Sequence, residues 1–216
     1  MRSIPIFALL LLCLVFGCSQ PNAQKKTPRA QASYEKADKM DEQEFWKIID
    51  HSYSVAGDNK QKQDDIITQK LSAYTPEQII EFEVIFRKKV IEADDYKVMA
   101  AAKIIDGVVT DDPYLYFRFW LIGLGEKTFK EALKNPDYLA DVVDSGVEPD
   151  FESLLYVSTK AYMKKTGRQK EDESFPRDVA YEKGLDYDFG APPTKGKDWK
   201  TEDLSKLYPK LWEKFN

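Results

Sequence analysis

Asp111, Asp112, Arg118 and Trp120 fall within one short run and are the side chains of this chain best placed to do chemistry. Paired carboxylates can serve as a general base or hold a divalent metal, and a guanidinium can grip an anion. Asp111 and Arg118 are seven residues apart, nearly two helical turns, so on a helix they share roughly one side. That spacing suits a carboxylate-dependent, hydrolase-like enzyme with Arg118 as anion holder. It suits a structural Asp–Arg bridge equally well, and two acids ahead of a helix also satisfy its N-terminal dipole and cap. The four residues are therefore a candidate binding set, with no catalytic residue assigned.

Other reactive groups are scarce. The cysteines are Cys13 and Cys18, and the one histidine is His51. Met1 and Arg2 make a positive start, and Ile4 to Phe16 is an apolar run. That run is shorter than the roughly 20 residues a bilayer-spanning helix needs, so it reads as a secretory leader. Gly17-Cys18 at its end resembles the lipobox of bacterial lipoproteins, which implies an acylated Cys18 as first residue of the mature chain. The folded part then has no thiol for a disulfide, a thiolate metal site or a nucleophile. One histidine cannot build a zinc site. His51 sits near the C-terminal end of a helix, where the dipole favours a positive imidazole, and is expected to be a surface or capping residue rather than a catalytic base. With no glycine-rich phosphate loop either, no metal and no cofactor are expected. The formal charge of −5 argues against nucleic acid as a partner.

Apolar spacing gives the elements that must position these groups. Residues 18–39 are polar and basic without periodicity, a flexible tether between the leader (1–17) and a domain over 41–216. Asp41 and Glu44 open a first helix that ends at Gly57, and a more polar second helix follows to about Ala73. Thr75-Pro76-Glu77-Gln78 is the strongest helix start, and the broad stripe of Ile79, Phe82, Phe86 and Val90 makes that helix central. Asp94 or Asp95 opens the next. The aromatic helix runs from Pro113 and is buried on most sides, with Asp111 or Asp112 as its cap. Further helices are expected over 126–134, 136–144 and 149–166. Residues 168–197 read as irregular, with Phe175, Tyr181, Tyr187 and Phe189 lying on the bundle. Thr201 caps a closing helix that Pro209 kinks. The fold class is all-α, one compact domain of about eight or nine helices, with no period-2 strand.

These motifs resemble a bacterial family grouped as domain of unknown function 4240. The matching residues are Trp46, T-P-E-Q-I from Thr75 to Ile79, and T-D-D-x-x-x-Y-F-R-x-W-L-I-x-x-G from Thr110 to Gly125. A-L-x-x-P-D-x-L from Ala132 to Leu139, L-L-Y-V from Leu154 to Val157 and W-x-x-E-D-L-x-x-x-Y-P-x-L from Trp199 to Leu211 also match. The resemblance implies a helical fold and no particular activity.

Function is then read from location and from what is missing. The expectation is a lipid-anchored helical binding domain of the bacterial cell envelope, held to the membrane by its N-terminus, with a protein or small-molecule partner. The hydrolase-like enzyme is the competing reading. Arg118, flanked by Phe117 and Phe119, is expected to be buried and paired, with Asp111, Asp112 and Asp106 as the nearest acids. Wild-type protein should partition into the detergent phase, and Cys18→Ser should leave it unprocessed or soluble. A chain found wholly in the aqueous phase with an unmodified N-terminus contradicts the anchor.

Overall fold

Local capping chemistry sets where the helices of this chain begin. The computed structural model describes residues 36–187 and 192–216. The leader, Cys18, the tether up to residue 35 and Phe189 lie outside the described residues. Asp41 accepts from the Glu44 N–H at 3.0 Å and starts α1 (Glu42–Ala56). Asn59 does the same for α2 (Lys60–Leu71). Thr75 and Gln78 bond each other's backbone N–H reciprocally at the head of α3 (Pro76–Glu92), as the sequence motif requires. Asp95, not Asp94, caps α4 (Tyr96–Ile105).

The aromatic helix α5 (Asp111–Gly123) departs from expectation at its start. Thr110 holds the cap position without a side-chain bond, and Asp111 and Asp112 are first-turn residues that face the dipole. Next come α6 (Glu126–Lys134), a 3-10 turn Pro136–Tyr138 and the short α7 (Leu139–Val142). A 3-10 turn Glu152–Tyr156 then leads into α8 (Val157–Thr166), where one continuous helix was expected. The segment expected to be irregular contains α9 (Pro176–Glu182), which starts at a proline in its first turn. Pro209 breaks the last helix rather than kinking it, giving α10 (Leu204–Leu207) and α11 (Pro209–Phe215). The described residues thus hold eleven α-helices and no strand, apart from one isolated bridge between Asp95 and Lys195. None of these helices is long and apolar enough to cross a membrane.

As its broad stripe implies, α3 is central and packs on α1, α5, α8 and α9. Rings carry much of that packing. Phe119 of α5 meets Phe86 of α3 at 5.2 Å, Phe82 of α3 meets Phe45 of α1 at 4.8 Å, and Trp46 meets Phe129 of α6 at 5.2 Å. Each fully buried ring contributes about 1.5–3 kcal/mol by burial and each pair about 0.5–1.5 more. That ring series therefore outweighs any single polar contact as glue between α5, α3, α1 and α6.

Two stretches without their own core are held by named polar contacts. At the N-terminal edge, Lys36 donates to the Ala73 carbonyl at 3.0 Å and Gln78 to the Asp38 carbonyl at 2.8 Å. Residues 36–39 therefore lie on the α2–α3 corner rather than belonging to the free tether. At the other end, Asp137 accepts the N–H groups of Lys210 and Leu211 at 3.3 and 2.9 Å, which docks α11. Of the aromatics expected on the bundle, Phe175 and Tyr187 are buried, but Tyr181 is 58% exposed.

Candidate functional site

Arg118 projects from α5 into the interior, with its side chain 5% exposed. Its partner is Asp94, at the turn between α3 and α4, Nη1 to Oδ1 at 3.4 Å. Nη1 also donates to the Val90 carbonyl at 3.4 Å, the guanidinium lies 4.6 Å from the Tyr114 ring, and Nε is buried with no protein acceptor. Burial pulls the Arg118 pKa down, opposed by Tyr114, by the Asp94 carboxylate and by Tyr187. The Tyr114 hydroxyl bonds the backbone of Ala93 and Asp95, and its own burial pushes its pKa far up.

The expected partners of Arg118 stand elsewhere. Asp111 and Asp112 are exposed, and Asp112 acts on Tyr116, whose pKa burial and Glu152 push up to about 12. Asp106 is an exposed C-cap of α4 whose carboxyl is raised by burial and by Asp150. Trp120 is a core residue, 4% exposed and packed on Phe117 at 5.2 Å. The four residues singled out in the sequence therefore do not line one cleft. His51 differs as well, since burial and Lys70 lower its pKa and oppose the charged form that the helix dipole favours. Among the described residues, no group of three or more His, Cys, Asp or Glu could hold a metal.

What sequence reasoning missed is the role of Asp94. With Asp95 acting as the cap, Asp94 can turn inward, and its second oxygen accepts from the Thr194 N–H and hydroxyl at 3.0 and 3.1 Å. Around it, Lys195 Nζ caps the carbonyls of Ile91 and Glu92 at the end of α3, at 3.0 and 2.6 Å. The Lys195 carbonyl accepts the Tyr96 N–H at 3.0 Å, and Trp199 Nε1 donates to the Tyr96 carbonyl at 2.7 Å. Gly196 has φ +84°, and a Cβ there would collide with the Asp95 carboxylate. The available signal was two adjacent acids at a helix start that needs only one.

A second feature lies between α2 and α8. It is a groove of about 440 Å³ lined by Asp64, Asp65, Thr68, Gln69, Lys160 and Lys164. The Asp64 side chain is 2% exposed and forms the floor; Lys160, 44% exposed, reaches it from the rim at 2.8 Å. Thr68 gives the carboxylate only a long 3.4 Å contact. The neighbouring Gln63 fixes α2 to the core by donating to Ser52 Oγ and the Gly123 carbonyl at 3.2 and 2.8 Å. Asp64 also left a trace in the sequence, because it stands in the inward register of Ile67 and Leu71.

These observations define an all-α domain with buried ion pairs and one charged groove. The chain belongs to the family described as Protein of unknown function (DUF4240), which matches residues 40–164. That match covers α1 to α7, α8 as far as Lys164, Asp94 and Arg118. No curated protein and no solved structure matches the chain.

Removing one partner of a buried ion pair typically costs about 3–5 kcal/mol, because the survivor stays charged and unpaired. Arg118→Met and Asp94→Asn should each lower the melting temperature, by on the order of 6–20 °C for a domain of this size. The double variant should lose less than the two losses added together. An Arg118→Met protein that melts like wild type would show that the pair is not structural.

Proposed function

We propose that this protein is a lipid-anchored domain of the bacterial envelope that acts by binding, with the α2–α8 groove as its binding face. The observation that carries the reading is Asp64. A carboxylate taken out of water is costly unless it is fully paired, and among the described residues this one has a single short partner, the half-exposed Lys160. A partner's cation can replace Lys160 on Asp64, while a partner's anion can take Lys160 or Lys164. The groove thus suits a ligand carrying both signs of charge, as a polypeptide segment does. All six lining residues fall within 40–164, the stretch matched by the family.

The hydrolase-like reading needs Arg118 to share a cleft with Asp111 or Asp112. Arg118 instead faces Asp94 and Val90, while both acids are exposed in the first turn of α5. The anchor follows from Gly17-Cys18, and residues 36–39 fix where the chain enters the domain, beside the end of α2.

A photo-crosslinking residue at Gln69, on the groove rim, tests the reading in cells of the native host. It should give a discrete adduct that Lys160→Glu abolishes, while the same crosslinker at the exposed Glu171 gives none. Identical adducts at both positions, or none at Gln69, would contradict the groove as the binding face.

A further inference from the structure

The floor and the rim of the α2–α8 groove differ in how firmly they are held. Asp64 is buried on the floor, and the half-exposed Lys160 reaches its Oδ2 from the rim, Nζ to oxygen at 2.8 Å. The other charges of the lining, Asp65 and Lys164, are exposed. Asp65 is steadied on the rim by Gln61 Nε2 at 3.0 Å. The polar depth of the groove is therefore one carboxylate. Among the described residues, its one short bond comes from a side chain that can swing out into water.

That bond is not what joins the two helices. Ile67 and Leu71 of α2 are fully buried, as is Ala161 of α8, the residue after Lys160. Gln63 fastens α2 to Ser52 and to the Gly123 carbonyl. These contacts hold α2 in place without Asp64. A buried carboxylate facing a half-exposed lysine is a weak device for stability, because solvent screens the pair while the carboxylate still loses its water.

The shape of the floor also selects a cation. Asp64 Oδ1 turns along α2 toward Thr68 Oγ1, a long contact of 3.4 Å, and Oδ2 is the oxygen that Lys160 meets from the groove. An ammonium is a compact point charge that a single oxygen can hold. A guanidinium gains its advantage by bonding both carboxylate oxygens in one plane. One oxygen facing the groove thus favours the ammonium.

Building on the groove as the binding face, we propose that Asp64 is a seat for a primary ammonium of the partner, filled by Lys160 until the partner displaces it. The freed Lys160 and Lys164, four residues apart on one face of α8, then take an anionic group of the same partner. The partner carries a lysine side chain or a free chain N-terminus, with a carboxylate close by.

The test replaces the missing ammonium chemically. Full-length protein carrying Lys160→Ala is melted in Nα-acetyl-lysinamide, in alaninamide or in Nα-acetyl-argininamide, with sodium chloride at equal ionic strength as reference. Binding to the folded state raises the melting temperature by about 3 °C or more at roughly tenfold the dissociation constant. The expected result is such a rise with an ammonium probe, a smaller one with the arginine probe, and none in Asp64→Asn combined with Lys160→Ala. Wild type should respond more weakly than Lys160→Ala, since its own lysine competes. A rise with acetyl-lysinamide alone assigns a lysine side chain, and one with alaninamide alone a chain N-terminus. If Lys160→Ala folds in none of the four solutions, Lys160→Gln, which keeps a neutral donor beside Asp64, takes its place. Equal melting in all four, or an arginine response that matches the ammonium one, overturns the seat even where the Gln69 adduct forms. An ammonium response without any Gln69 adduct keeps the seat and removes only the polypeptide reading of the groove.

Discussion

Arg118 cannot shed its proton, so a fold that buries it must bring acceptors to it. Here the acceptors come from the turn between α3 and α4, through Asp94 and the Val90 carbonyl. That demand fixes how α5 lies against α3, and the Phe86–Phe119 contact reinforces the same placement from the apolar side. Asp94 extends the constraint to Thr194, so one carboxylate joins three parts of the chain that are distant in sequence. Lys195 and Trp199 then complete the closure over the end of α3. Ring packing supplies most of the stability; the ion pair specifies which surfaces meet.

Much of the fold was legible in the sequence because it rests on local chemistry. The capping box of Thr75 and Gln78, the Asp41 cap and the broad stripe of α3 all act within a few residues. Sequence and structure part where local signals end. Proline in the first turn of α9 looked like irregular chain, yet it started a helix. Pro209 is the reverse case, since the backbone of Tyr208 leaves helical geometry ahead of it, at φ −135° and ψ 68°.

The buried charges were only half legible. That Arg118 is interior followed from its aromatic neighbours. Its partner did not, because nearness in sequence pointed to Asp106, Asp111 and Asp112, whereas the partner lies 24 residues upstream, across a helix packing. Asp64 and Lys160 are 96 residues apart, and only the packing of α2 on α8 makes them neighbours. Asp64 stands three and seven residues before the buried Ile67 and Leu71, on the inner face of α2, but no spacing rule names a partner at that distance.

Asp94 clips the 192–199 segment and α5 to the same corner, and native-state hydrogen exchange reads that clip at single amides. Thr194 is an exposed residue, so its amide should exchange fast unless the Asp94 carboxylate holds it. The Thr194 and Tyr96 amides should show measurable protection in the wild type. Asp94→Ala should abolish that protection, while the amides of α1 stay protected. A wild-type Thr194 amide exchanging at the unprotected rate, or one whose protection survives Asp94→Ala, would contradict the clip.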